Sequence, residues 1–211
     1  MSLPVFPTAY LPSILYLAVM ARYEAVSIEQ WETFPKQTFR NRAVIATAGG
    51  NMMLNVPVVR TQGNHTRTDQ MAISYQEPWN IRHWRAIVSA YSAAPYFLYY
   101  RDGIEAILMQ RHDRLIDLND ALLRHLLKKM KIECQIGYTD DYEPCRPGGE
   151  EAGDYRQSLA DKHCPLLEKH SPMPAYPQVF DTRYGFQPNL TVLDLLFNLG
   201  PEAKDYLHSL Q

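Results

Sequence analysis

Apolar and polar positions fall into three patterns along the chain, and each predicts a different kind of element. Val5 to Tyr10 is a short apolar run broken by Pro7, and Ala25 to Glu29 is another. Both read as strands. Between them, Ser13 to Arg22 is apolar all round, which suits a buried helix. Strand, helix and strand in such close succession make a βαβ unit, with parallel pairing through a right-handed crossover. Ala43 to Ala48, the turn Gly49-Gly50-Asn51 and Met52 to Val59 read as a hairpin, with Pro57 placing the second strand at an edge. Met71 to Tyr75 reads as a further strand.

Helical periodicity takes over after Pro78. Ile81, Trp84, Val88 and Tyr91 form one apolar stripe at helical spacing, with Arg82, Arg85 and Ser89 on the polar face. Pro78 fits the first helical position. A second helix is predicted from about Tyr96 to Gln110. A third follows Asp113, a candidate N-cap, with the stripe Leu115, Leu118, Leu122, Leu126 and Met130. Ile132 to Tyr138 reads as a strand. Residues 171–189 are rich in Pro and aromatics and read as irregular. Thr191 to Leu199 is a core helix ended by Gly200, and Pro201 restarts a short helix. Together these elements predict a single α/β domain over residues 1–211. A small, mostly parallel Rossmann-like sheet takes the strands near Val5, Ala25 and Ile132, the hairpin 43–59 is appended, and helices surround it. An α+β arrangement is the alternative.

Composition narrows the function classes. The 211 residues carry a formal net charge of −2, which excludes a strongly basic chain built to neutralise nucleic-acid phosphates. The apolar opening has no basic residue before Arg22, and its longest unbroken apolar run, Ile14 to Ala21, is too short to span a membrane. A cytoplasmic protein without signal peptide or membrane span is expected. Three cysteines, Cys134, Cys145 and Cys164, with no CxxC spacing, suit a reducing compartment. Cys145, Cys164, His163 and His170 match no standard zinc template, so no metal is expected. Thr139 to Asp154 holds six acids, one Arg and several Pro and Gly. With so little apolar surface to bury, residues 139–170 read as a flexible acidic loop.

Three stretches could carry chemistry. Lys36-Gln37-Thr38-Phe39-Arg40-Asn41-Arg42 packs three cations and two amides into seven residues, beyond the βαβ unit. Ligands of open α/β sheets bind beyond the carboxyl ends of the strands, and Arg forks match phosphate or carboxylate oxygens. The alternative is a solvated basic turn paired with Glu29, Glu32 or the acidic loop. His83, at the border of its helix's apolar stripe, is a candidate general base or a satisfied boundary residue. Thr191, Asp194 and Asn198 form a polar stripe on an otherwise apolar helix. They serve ligand or protein partners, Thr191 and Asp194 also having capping-box spacing. The chain lacks G-x-G-x-x-G, P-loop, G-x-S-x-G and H-E-x-x-H motifs.

Three blocks in this order resemble the WbqC-like family, named for its place in bacterial O-antigen gene clusters. The first is Tyr10-Leu-Pro followed by Phe34-Pro-Lys-Gln-Thr-Phe-Arg-Asn-Arg42 and Val56-Pro-Val58. The second is His83-Trp84 with Ala90-Tyr91 and Pro95-Tyr-Phe97. The third is Tyr176-Pro-Gln178 with Pro188 to Gly200. The resemblance implies an enzyme of surface-polysaccharide biosynthesis, with transferase as its candidate class, acting on an anionic or nucleotide-linked sugar. Its alternative is a non-catalytic binding or scaffold protein of the same pathway. On that expectation Lys36, Arg40 and Arg42 hold the anion. Tyr10, Asn41, Gln178 and Asn198 orient the substrate, and His83 and Asp194 exchange protons. No cofactor is specified. A looser similarity to nucleotidylyltransferases fails at Pro7-Thr-Ala-Tyr-Leu-Pro12, which lacks their paired histidines.

Overall fold

The apolar opening of the chain folds back on itself around its own helix. In the computed structural model, which describes residues 3–160 and 165–210, β1 (Val5–Pro7), α1 (Ile14–Met20) and β2 (Ala25–Glu29) form the expected βαβ unit. β1 and β2 are parallel, with Val5 opposite Ser27 and Pro7 opposite Glu29. All seven residues of α1 are buried, which explains the absence of a polar face. Ser13 caps it, its hydroxyl accepting from the Tyr16 amide.

Next come β3 (Arg42–Thr47), β4 (Gly50–Asn55), β5 (Val58–Val59) and β6 (Ala72–Ile73). β3 and β4 are the predicted hairpin, in antiparallel register with Arg42 opposite Asn55. The second predicted strand is split: Pro57 cannot donate to a ladder, so β4 stops at Asn55 and β5 pairs with β6 instead.

Three helices follow: α2 (Trp79–Tyr91), α3 (Phe97–Met109) and α4 (Leu115–Lys129). On α4 the predicted leucines Leu115, Leu118, Leu122 and Leu126 are fully buried. The residue before α4 is Arg114, not the expected Asp113, and its side chain makes no capping bond. A missing cap costs about 1 kcal/mol, whereas each buried leucine contributes roughly 1.5–3 kcal/mol, so packing fixes this helix. On α2 the buried face is Trp79, His83, Trp84, Ile87, Ala90 and Tyr91, while Ile81 is 41% exposed. Trp84 and Tyr91 of the predicted stripe are buried and Val88 packs half-buried against the core, so the real face keeps these three and extends to Trp79, His83 and Ile87 in place of Ile81.

β7 (Gln135–Tyr138) pairs parallel with β2, so the three-stranded sheet has the order β1-β2-β7. The remaining elements are α5 (Pro165–Lys169), α6 (Asp181–Tyr184), α7 (Val192–Leu199) and α8 (Ala203–Ser209). The architecture is therefore mixed, with a small parallel sheet, two antiparallel ribbons and surrounding helices. Among the described residues no helix is long and apolar enough to cross a membrane.

The segment read as a flexible acidic loop contains buried Asp154, Tyr155, Arg156, Ser158 and Leu159. The Val5 amide donates to the Gly153 carbonyl and the Tyr155 amide to the Val5 carbonyl, both at 2.8 Å, which attaches this segment to the outer edge of β1. Arg156 is its anchor. Its guanidinium donates to both carboxylate oxygens of Asp154, to Oε2 of Glu29 at 3.2 Å, and to the carbonyls of Glu143 and Pro144. Glu29, Asp154 and Arg156 are each less than 5% exposed, so their charges are paired with one another instead of hydrated.

Candidate functional site

The basic stretch after β2 leads into the hairpin and lines one side of a surface groove of about 390 Å³. The groove is walled by Phe34, Val56, Pro57 and Val58, and its polar lining is Lys36, Gln37, Asn41, Arg42, Asn55 and Arg60. Three cations meet here with no carboxylate in the lining. Among the described residues none of the three has an acidic partner within 4 Å.

Several of these side chains are held from behind. Asn41 is buried, and its amide nitrogen donates to the Val56 carbonyl at 2.9 Å and to Oδ1 of Asn55 at 3.1 Å. Nε of Arg42 donates to the same Oδ1 at 3.3 Å. Arg60 donates from Nη2 to the Phe34 carbonyl at 3.0 Å, and its guanidinium lies 5.9 Å from the Phe34 ring centroid. Gln37 has φ of +60°, a left-handed conformation that non-glycine residues adopt at a cost of order 1–3 kcal/mol. The turn that presents Lys36 and Gln37 is therefore strained.

Of the residues predicted from sequence, Lys36, Asn41 and Arg42 share this groove. Arg40 does not. It is 2% exposed and forms a fork with Glu32, Nε to Oε1 at 2.6 Å and Nη2 to Oε2 at 3.0 Å. Arg60 and Asn55 join the groove, although no sequence motif marks either.

His83 stands behind the groove rather than in its lining. Its Nδ1 lies 2.9 Å from the Tyr10 hydroxyl, and its ring packs edge-on to Trp79. Burial lowers its pKa to about 4, against a smaller opposing effect of the Asn55 backbone. The imidazole is neutral near pH 7 and Tyr10, fully buried, is its partner. Asn55 thus joins the two layers, its backbone toward His83 and its side chain toward Asn41 and Arg42.

Asp194 belongs to a different centre. It is 1% exposed on α7, and its Oδ1 accepts from the Tyr176 hydroxyl at 2.6 Å and from Nε2 of Gln178 at 3.0 Å. Asn198 donates to the Asp194 backbone carbonyl at 2.8 Å. Burial raises the Asp194 pKa, and these donors oppose the rise. Gln178 is tied further to residue 187, accepting from its amide at 2.8 Å and donating to its carbonyl at 2.9 Å. Tyr91 of α2 lies beside Asp194, and its own pKa is raised by burial and by that carboxylate.

The two centres sit at opposite ends of one helix. His83 and Tyr91 are eight residues apart on α2, about 12 Å at 1.5 Å per residue. The hairpin runs alongside: His83 faces Asn55, paired with Arg42, while Tyr91 faces Ala46, four residues farther along β3. Four strand residues span about 13 Å, which agrees. The early cations and the mid-chain imidazole are neighbours, and the late carboxylate is not. Among the described residues no cluster of His, Cys, Asp and Glu could hold a metal ion. His163 and Cys164, weighed as zinc ligands, lie outside the described residues.

The motifs that build the groove and the His83 layer fall within residues 8–164, and over those residues the chain matches the model of the WbqC-like protein family. The chain belongs to the WbqC-like family. The matched span holds the first two of the three motif blocks, and the block around Asp194 follows it. An uncharacterized protein of Mycobacterium tuberculosis is 28% identical over 217 residues, covering 94% of each chain. No solved structure matches the chain.

Proposed function

We propose that this WbqC-like protein binds a small anionic molecule in the groove of Lys36, Arg42 and Arg60. The observation that carries the reading is three cations converging on one concavity whose lining contains no acid. Cationic side chains without counter-charges repel one another, and a bound anion relieves that cost. Two of the guanidinium groups are held in place by Asn55 and by the Phe34 carbonyl, which lowers the ordering entropy of binding.

In this reading Asn41, fixed behind Arg42, orients the cationic array. Arg40, Tyr10, Gln178, Asn198 and Asp194 serve the fold, because each is buried and bonded to protein groups.

A catalytic role in surface-glycan synthesis is the finer proposal, supported by the family resemblance and by a neutral imidazole behind Asn55. Within it the sheet is a Rossmann-like platform and His83 the proton acceptor. Against it, the groove lining has no imidazole, carboxylate or thiol, which favours the alternative of a binding protein.

Thermal unfolding with and without sulfate tests the anion site. A ligand at 100 times its dissociation constant stabilises the folded state by about 2.7 kcal/mol. The stabilisation is expected in the native chain and lost in Arg42→Ala. Equal stabilisation of both proteins would show that the anion binds elsewhere. Mass spectrometry of a bound ligand after incubation then separates binder from enzyme.

A further inference from the structure

Resting on that anion site, we infer that its ligand is a phosphate monoester, bound as the dianion, with a compact body carrying neutral hydrogen-bonding groups. Three features of the groove select this class.

The first is charge and geometry. A monoester phosphate has three non-bridging oxygens and a charge between about −1.5 and −2 near pH 7. Two guanidinium groups and one ammonium present donors that match three oxygens. A single carboxylate has two oxygens and one charge, and leaves most of the array unneutralised. Glu32, the acid nearest in sequence, is already bonded to Arg40 and supplies no internal counter-charge.

The second is the amide set. Oδ1 of Asn55 accepts from both Asn41 and Arg42, which leaves the amide nitrogen of this groove-lining residue as the donor for a ligand. Gln37 offers a donor and an acceptor from its strained turn. Neutral amides of this kind recognise hydroxyl or amide groups and carry no preference for a second charge.

The third is size. About 390 Å³ lies toward the lower end of small-molecule pockets, and the accessible apolar part of its lining is the half-buried pair Pro57 and Val58, over buried Phe34 and Val56. A compact ester body fits against that pair.

Isothermal titration of the whole chain tests the inference with four probes: sulfate, inorganic phosphate, glycerol 3-phosphate and malonate. Glycerol 3-phosphate is expected to bind at least tenfold tighter than malonate. Its affinity rises severalfold between pH 5 and 7, as the phosphate takes its second charge near pH 6. Sulfate, a dianion throughout, shows no such rise. His83 titrates near pH 4 and leaves that window clear. Arg60→Ala weakens every phosphate probe at least tenfold, while Arg183→Ala, on α6 and outside the groove, changes nothing. Malonate binding as tightly as glycerol 3-phosphate overturns the monoester assignment and leaves the anion site standing. Inorganic phosphate binding as tightly as glycerol 3-phosphate overturns the claim about the ester body. Failure of all four probes overturns the anion site and this inference together.

Discussion

The Tyr176 hydroxyl donates to Oδ1 of Asp194 across 2.6 Å and ties α7 to the irregular segment before it. Gln178 closes the same knot from the other side. Tyr176→Phe removes one donor from a buried carboxylate and is expected to cost about 1–3 kcal/mol in urea unfolding. Sulfate affinity is expected to stay unchanged. A loss of affinity with no loss of stability would move Asp194 back into the ligand site.

Acid weakens the fold through His83. Its folded pKa is lowered to about 4 from the ordinary 6.5. Between these values the unfolded chain binds more protons at this position, so stability falls as pH drops from 6.5 to 4 and is level above that window. The full shift corresponds to roughly 3 kcal/mol. His125, also lowered by burial, acts in the same direction, whereas Asp194 and Glu29, both raised by burial, act in the opposite one. The slope that disappears in His83→Gln is therefore the quantity to measure. An unaltered slope in that variant would show that His83 is hydrated and titrates normally.

Arg156 pairs with two buried acids at once. Arg156→Met leaves Glu29 and Asp154 without a counter-charge and is expected to cost about 3–5 kcal/mol in chemical unfolding. Adding Glu29→Gln and Asp154→Asn to it is expected to recover much of the loss. If the single variant loses less than about 1 kcal/mol, the cluster is not the anchor of residues 139–160.

Gly103 lets α3 approach α4. A Cβ at this position runs into the imidazole ring of His125. Gly103→Ala is therefore expected to give no gain in stability, although alanine is about 1 kcal/mol better than glycine in a helix interior. In a His125→Ala background the same substitution is expected to gain about that amount. Equal effects in both backgrounds would mean that the ring moves aside without cost.

Much of the fold was legible because local patterning and tertiary burial agree. The uninterrupted apolar run of α1, the leucine stripe of α4 and the glycines at the β3–β4 turn each allow one reading. α2 allowed only part of one, since its true face adds His83, a boundary position by its spacing, and Ala90 to the expected Trp84 and Tyr91. Ile81 looks like core and is exposed. For the groove, the basic stretch was visible, but which of its cations are committed was not. Arg40 and Arg42 differ by the position of Glu32, and nothing in their spacing reports it. Asn55 could have been found by counting back from the Gly49-Gly50 turn, which sets it opposite Arg42. Arg60 depends on Pro57 diverting the chain back past Phe34, and Asp194 is kept from His83 by the length of a helix. Both are facts of three-dimensional packing.

The backbone of Val5 is gripped on one edge by β2 and on the other by residues 153–155. During synthesis the first of these partners emerges soon after β1, while the second follows only after more than a hundred further residues. Until then one flank of the opening strand stays bare. A nascent chain stalled before Arg156 would offer that flank to whatever strand or chaperone is at hand, and shielding it in that interval becomes a task for the cell.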